Sequence, residues 1–304
     1  FASGDARTRQ GKLIMGSIIA GLGSPHAPSI GALIDAGKWD EPGWKPLLDG
    51  FRPMQDWLAR EKPDAAILIY NDHVTSFFFD SYPTFALGVA DSFAVADEGF
   101  GPRPLPAIRG DAAFGWHVAH ALVEDEFDIT LCQELALDHG ALTPLSALWP
   151  DAATSGWPCP ILPLAVNVLQ LPMPSPRRLY RLGQALRRAV ASYTPDFRVA
   201  VIGTGGLSHQ LHGERFGFRN EAWDMEFLDL LERDPESLAA LRLQDYIERG
   251  GAEGAEVIMW LAMRGALSPK VRRLHRNYHG PLHTGFAQVI FEDAAYTPPP
   301  GGTP

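Results

Sequence analysis

The chain has 304 residues, of which 46% are hydrophobic and 20% are charged, as in many globular enzymes. Its formal net charge of −10 argues against nucleic acids and anionic membranes as partners, because both repel an acidic surface. No apolar run is long enough to span a bilayer. Cys132 and Cys159 form neither a metal-type pair nor a disulfide framework, so we expect a cytoplasmic protein in a reducing compartment.

The two ends of the chain differ from its middle. Residues 1–14 are polar and irregular, which predicts an N-terminal arm or a processed remnant. Residues 294–304 include T-P-P-P-G-G-T-P, which predicts a Pro/Gly-rich tail. Because nothing between these segments resembles a linker, we predict a single domain over residues 15–293.

Short apolar runs rich in β-branched residues alternate with amphipathic stretches along the chain. The runs predict strands and the stretches predict helices, because buried strands and helices differ in length and hydrophobic period. The predicted class is α/β, a single domain with a central, mostly buried mixed sheet flanked by helices. In chain order we predict strand 17–22, helix 43–60, strands 65–70 and 84–89, helix 112–124, strands 128–132 and 160–166, helix 176–193, strand 198–203, helices 221–233 and 252–265, and strand 284–291.

Four of the apolar runs are followed by a histidine. His26 follows the first run in S-P-H-A-P, and His73 follows the second in Y-N-D-H. His139 lies in L-D-H-G after the run 128–132, and His209 lies in G-T-G-G-L-S-H after 198–203. One such histidine is usually a cap or a surface residue. Because ligands bind at the carboxyl ends of strands in open α/β sheets, four together predict a metal site at the strand ends.

Carboxylates accompany these histidines. Asp72 and Asp138 each directly precede a histidine, and either cap their turns or accept a hydrogen bond from a ring that binds metal. Glu253 and Glu256 begin the predicted helix 252–265, where acids favour the positive end of the helix dipole. One carboxylate with two imidazoles is also the facial triad of non-haem Fe(II) oxygenases. The residues alone leave both glutamates open as the third ligand.

The remaining histidines have simpler interpretations. His117 and His120 lie on the predicted helix 112–124, where we expect structural roles. His275, His279 and His283 lie in the basic stretch R-R-L-H-R-N-Y-H-G-P-L-H. That stretch either holds an anionic group or forms a solvated face.

Five separated motifs resemble a known family. In order they are S-P-H-A-P, Y-N-D-H, L-D-H-G-A, G-T-G-G-L-S-H-Q and E-G-A-E-V-I-M-W-L-A-M-R-G-A-L. They resemble the class II extradiol ring-cleaving dioxygenases, the family of the protocatechuate 4,5-dioxygenase β subunit and the gallate dioxygenases. The resemblance runs from about residue 15 to about residue 293 and includes A-D-E-G-F-G-P-R-P.

The resemblance implies a role for each site residue. His26, His73 and Glu256 match the Fe(II) ligands of the family, and Glu253 does not match a ligand position. His209 matches the acid–base residue, and His139 matches a residue that touches substrate or oxygen. The implied activity is Fe(II)-dependent extradiol cleavage of a carboxylated catechol by O₂, most simply protocatechuate from the chain length, with gallate or 3-O-methylgallate as the alternative.

The loop before the last predicted strand departs from the family pattern. It reads G-P-L-H-T-G, where the β subunits carry small polar residues that hold the substrate carboxylate. His283 and Thr284 are the residues left to bind the substrate there. The resemblance also implies a homodimer, in which either a separate small α subunit caps the site or the pocket is open.

Two other classes of protein remain open at this point. Two histidines and a glutamate also suit a zinc hydrolase with an open water position. A non-catalytic binding protein on the same fold is the other alternative, although every expected ligand position is filled in this sequence.

Overall fold

The computed structural model describes residues 15–194 and 196–297. The predicted arm 1–14 and most of the predicted tail lie outside the described residues. The strands within them are β1 Ser17–Ser24, β2 Ala65–Tyr70, β3 Phe85–Gly88, β4 Ser92–Val95, β5 Ile108–Arg109, β6 Thr130–Cys132, β7 Ala136–Leu137, β8 Ile161–Val166, β9 Arg198–Thr204, β10 Val271–His279 and β11 Phe286–Asp293.

The helices pack around these strands. The predicted helix 43–60 divides into two, and the predicted helix 252–265 begins as the 3₁₀ turn Glu253–Ile258. The α-helices are α1 Pro28–Asp35, α2 Lys45–Asp49, α3 Arg52–Glu61, α4 Ala112–Glu124, α5 His139–Leu148, α6 Ala152–Ser155, α7 Pro176–Ala191, α8 Glu221–Arg233, α9 Pro235–Ala240, α10 Leu243–Gly250 and α11 Met259–Gly265.

A mixed eight-stranded sheet organises the molecule. Its strand order is β10-β11-β1-β9-β2-β8-β3-β6, and β5-β4-β7 form a small second sheet. The central strands β1, β9, β2 and β8 are parallel, while β11 and β3 join them antiparallel. The predicted α/β class with a central mixed sheet is therefore confirmed.

Both faces of the central sheet are buried, because successive side chains of β2 point alternately into two hydrophobic cores. Ile67 and Ile69 face one hydrophobic core, which is completed by side chains of α7 and α11. Leu68 and Tyr70 face a second core, which is completed by side chains of α3 and α5. Helices on both faces are why these strands read as continuous apolar runs. Within the described residues, no helix combines the length and apolar character needed to cross a membrane.

The basic stretch 272–283 forms most of β10, an edge strand that the sequence patterns did not predict. Its arginines are paired with acids, Arg273 with Glu232 and Arg276 with Asp229. The ring of His275 bonds to a backbone carbonyl of the chain between α2 and α3. These pairings favour the solvated-face interpretation over an anion site. An edge strand with many polar side chains shows little apolar periodicity, which explains why the sequence patterns did not predict β10.

Candidate metal centre

Three neighbouring parallel strands place their histidines at one edge of the sheet. The order β1-β9-β2 brings the carboxyl ends of these strands side by side. His26 follows β1, His209 follows β9 and His73 follows β2. The convergence predicted from the sequence is thus present, because parallel strands end at the same edge.

His26, His73 and Glu256 form a cluster with the geometry of a metal site. One donor atom from each lies within 4.8 Å of the other two. Nε2 of His26 is 3.3 Å from Oε2 of Glu256. Two imidazoles and one carboxylate suit Fe(II) and also Zn²⁺. The donor set therefore fits the divalent metal that the sequence predicted.

Glu256 is held as a carboxylate within a buried site. It lies on the 3₁₀ turn, is 8% exposed, and accepts a hydrogen bond from the Gly206 N–H at 2.6 Å. Burial raises the pKa of Glu256, but His26, His209 and the Gly206 N–H outweigh it and lower that pKa to about 2. Gly205, just before the donor, has a φ angle of 127°, which side chains rarely adopt, so a glycine is required at this turn.

Each candidate histidine ligand is oriented through its Nδ1 atom. Nδ1 of His26 lies 3.1 Å from Oγ1 of the buried Thr204, and Nδ1 of His73 lies 3.0 Å from Oδ2 of Asp138. These bonds leave Nε2 of both rings for a ligand. Nε2 of His73 accepts from the Asn71 amide at 3.1 Å, so a metal ion there competes with that bond.

The two aspartates that precede histidines have different roles. Asp138 serves His73, 65 residues away, and also caps α5 through the Gly140 N–H. Asp72 instead accepts three backbone N–H groups of residues 75–77, which shapes the loop after His73. Asp138 therefore combines both roles left open by the sequence, whereas Asp72 only shapes its own loop. Burial raises the pKa of Asp72; for Asp138 burial is opposed by the His73 hydrogen bonds and nearby charge, and its pKa is lowered.

His139 is the first residue of α5 and lies beside the cluster. Its ring stacks on that of His73, with 3.9 Å between centroids. Both its Nδ1–H and its backbone N–H donate to the carboxylate of Glu98. Sequence reasoning missed Glu98, although it lies in the A-D-E-G-F-G-P-R-P segment of the family resemblance.

His209 faces the same site from the loop after β9. Its Nδ1–H donates to the Leu207 carbonyl at 2.9 Å, which leaves Nε2 3.9 Å from Oε1 of Glu256. Its backbone is held on both sides, by the Gly250 carbonyl and the Gly254 N–H. A ring fixed in this way can take up or release a proton at Nε2 beside the metal cluster.

These residues open into one cavity of about 620 Å³. Thr284 lines it, whereas His283 is exposed and packs against Phe216 outside the lining. The prediction that His283 contacts substrate therefore has no support from its position. The lining residues are His26, Ala27, Pro28, His73, His139, Val168, Leu169, Leu171, Met173, Gly206, His209, Leu211, His212, Ile247, Ala252, Glu253, Glu256, Thr284 and Phe286.

Comparison with known families identifies the class of protein. Residues 20–289 match the family described as the catalytic LigB subunit of aromatic ring-opening dioxygenase. The chain belongs to this family, and the resemblance found in its motifs is confirmed.

Two curated relatives show where in the family the chain lies. It is 52% identical to gallate dioxygenase of Pseudomonas putida over 199 residues, which cover 66% of this chain and 58% of the relative. It is 30% identical to a 2,3-dihydroxyphenylpropionate/2,3-dihydroxicinnamic acid 1,2-dioxygenase of Burkholderia vietnamiensis over 259 residues, or 69% of this chain and 78% of the relative. The chain thus spans little more than half the length of the gallate dioxygenase it matches.

A solved structure supports the fold alone. An uncharacterized protein of Escherichia coli K12 superimposes with a TM-score of 0.53 at 13% identity, covering 90% of this chain and 99% of that one.

Proposed function

We propose that the chain is an Fe(II)-dependent extradiol dioxygenase that opens the ring of a catecholic aromatic acid with O₂. The observation that carries the proposal is the cluster of His26, His73 and Glu256, which lines the same cavity as His209 and His139. Two imidazoles and one carboxylate would hold a divalent metal and would leave positions for a bidentate catechol and for oxygen.

The residues divide the work of the reaction. His26, His73 and Glu256 would hold the metal, which when bound acidifies the catechol hydroxyls and brings substrate and oxygen together for electron transfer. Nε2 of His209 would accept a proton from a catechol hydroxyl and return it later in ring opening. Apolar side chains such as Val168 and Phe286 line the cavity, so they would enclose the ring and limit access of water.

The substrate is proposed from the relatives and from the cavity. The name of the relative at 52% identity favours gallate, ahead of the protocatechuate expected from chain length; 3-O-methylgallate is a further candidate. The hydroxyl of Thr284 would contact the ring substituents. The assay should therefore compare all three acids.

Substitution of the two neighbouring glutamates tests the metal site. Glu256→Gln should lose most of its iron after anaerobic loading with Fe(II), because the amide is a weaker ligand than the carboxylate. Glu253→Gln is the matched control on the same 3₁₀ turn and should keep its iron. Normal iron content in Glu256→Gln, measured by elemental analysis, would contradict the assignment.

The role of His209 is tested separately. His209→Ala should keep its iron and lose turnover of the catechol by about 10²–10⁴-fold, because it removes a general acid–base group rather than a ligand. Loss of iron from this variant would contradict the role.

A zinc hydrolase remains the second candidate, favoured by the same donor set. Metal analysis of the protein as isolated, combined with oxygen uptake, separates the two. Zinc that is retained without any oxygen uptake on iron loading would favour the hydrolase.

For the assembly we propose a homodimer, with or without a separate small α subunit. The support is apolar surface at the cavity edge, where Leu171 is 68% and Leu211 44% exposed. Light scattering should give twice the chain mass; a monomer at working concentration would contradict the homodimer.

The unpaired buried cysteines support the cytoplasm as the location of the protein.

A further inference from the structure

Glu98 reaches His139 from the loop after β4. One carboxylate oxygen accepts from Nδ1–H of His139 and the other accepts from its backbone N–H at 3.0 Å. An ionised carboxylate only accepts hydrogen bonds, so the proton of the neutral ring resides on Nδ1. Nε2 is then the nitrogen that is free toward the cavity that His139 lines.

Hydrogen bonds and an ion pair fix the conformation of the loop that carries Glu98. Oδ1 of Asp97 accepts from the backbone N–H groups of Gly99 and Gly101, which both have left-handed φ angles of 94° and 81°. Arg103 forms a bidentate ion pair with Asp35 of α1, both bonds measuring 2.7 Å. The loop is therefore closed on itself and tied to the helix that follows His26.

The same pattern recurs at the neighbouring histidine. One oxygen of Asp138 accepts from both the backbone N–H and Nδ1–H of His73, whereas Glu98 uses one oxygen for each of the two bonds to His139. The two rings lie 3.9 Å apart at 28°, so each supports the other. The first pair orients a candidate metal ligand. The second orients His139, which lies outside the cluster of His26, His73 and Glu256 but has a ring nitrogen within 4.8 Å of donor atoms of His73 and Asp138.

We propose that Glu98 is a positioning residue, which fixes the His139 ring so that Nε2 accepts a hydrogen bond from the bound substrate. The proposal rests on the ring-cleavage function proposed above, in that the substrate is a catechol. Glu98 itself acts only through His139, since its contacts are with the far side of that ring.

Nitrogen NMR of the metal-free protein, labelled with ¹⁵N-histidine, tests the orientation without any need for activity. The His139 signals are assigned from their loss in His139→Gln. They should show mainly the Nδ1–H tautomer in the wild type and a smaller fraction of that tautomer in Glu98→Ala. Glu134→Ala removes an exposed glutamate and is the matched control. An unchanged Nδ1–H tautomer in Glu98→Ala would overturn the proposal, whether or not the protein cleaves catechols.

Kinetics test whether the effect passes through His139. In the iron-loaded protein Glu98→Ala should lower kcat/KM for the catechol about tenfold, as loss of a partner to an active-site histidine does, while Glu134→Ala changes nothing. The same substitution in a His139→Ala background should add less than a twofold loss. A full tenfold loss in that background would show a merely structural role and overturn the proposal. Absence of oxygen uptake in the wild type would contradict the proposed function instead. The tautomer result would still decide the role of Glu98.

Discussion

At the level of single residues, the groups behind each ring determine which nitrogen faces the cavity. Thr204 stands behind His26, Asp138 behind His73, and the Leu207 carbonyl behind His209. Each contact occupies Nδ1, so Nε2 is the nitrogen that faces the site, where that of His73 bonds to the Asn71 amide. The orientation of these rings thus depends on groups that do not line the cavity.

Thr204→Val tests this dependence. It removes the hydroxyl behind His26 while keeping a similar shape, so we expect metal affinity to fall about tenfold. Anaerobic Fe(II) titration of the metal-free protein measures the change. Thr143→Val is the control, because the Thr143 hydroxyl is also buried but has no hydrogen-bond partner among the described residues. Equal affinities for both variants would contradict the role of Thr204.

Much of the site was predictable residue by residue, and its supports were not. His26, His73 and His209 follow strands whose order could be expected to align their ends, and Glu256 was matched through the family motif. Asp138 precedes His139 but binds His73, while Glu98 lies 41 residues from the histidine it binds. Such pairings depend on how loops pack in space, which adjacency in the chain does not reveal.

At the level of elements, α7 and α11 pack closely through glycines. A side-chain carbon added at Gly183 of α7 would lie 2.1 Å from the Ala262 carbonyl oxygen of α11, and one at Gly265 would lie 2.2 Å from the Tyr180 carbonyl oxygen. The helix pair lies directly behind the strands that carry the histidines, since Met263 of α11 also contacts β1 and β9 through Gly21 and Gly203. Close backbone approach therefore holds the 3₁₀ turn of Glu256 against the sheet.

Gly183→Ala should destabilise the protein by about 1–3 kcal/mol, because the added methyl group meets backbone that cannot move freely. Gly43→Ala is the control, since nothing lies within 4 Å of the added carbon there. Thermal unfolding of both variants measures the difference. Equal melting temperatures would contradict the close packing of α7 on α11.

The seven predicted strands and the long helices α4, α7 and α8 are present, whereas β10 and the short strands β4, β5 and β7 were not predicted. The predicted bounds of α4 and α8 are those of the structure, because both carry a polar cap before an amphipathic run. Helix 252–265 begins instead as a 3₁₀ turn, where the Gly254 N–H bonds to the His209 carbonyl. Contacts with a distant loop override local helix propensity at that point.

At the level of the whole molecule, an ion pair between a buried carboxylate and a partly exposed arginine ties the end of β11 to α7. Asp293 at the end of β11 accepts from Arg187 of α7 at 2.6 Å and from the Ser268 N–H at 2.7 Å. Burial raises the pKa of Asp293, but the bonds from Ser268 and Arg187 prevail and hold it below its usual value of 3.8. A carboxylate with a lowered pKa stabilises the fold above the unfolded pKa and loses that effect as the pH falls through the folded pKa.

Asp293→Asn should therefore lower the free energy of unfolding by about 2 kcal/mol near pH 7, because charged hydrogen bonds become neutral ones. The difference from wild type should shrink as the pH falls below about 4. Urea unfolding at several pH values measures it, with the exposed Asp80→Asn as control. A difference that stays constant with pH would contradict the assignment.

Oxygen consumption decides whether this fold presents an iron site for ring cleavage. The protein would be loaded with Fe(II) under anaerobic conditions and then given gallate, protocatechuate and 3-O-methylgallate in separate oxygen-electrode runs. We expect uptake of one O₂ per substrate consumed with at least one acid, together with a ring-opened product that contains both oxygen atoms. Fully iron-loaded protein that consumes no oxygen with any of the three would contradict this expectation.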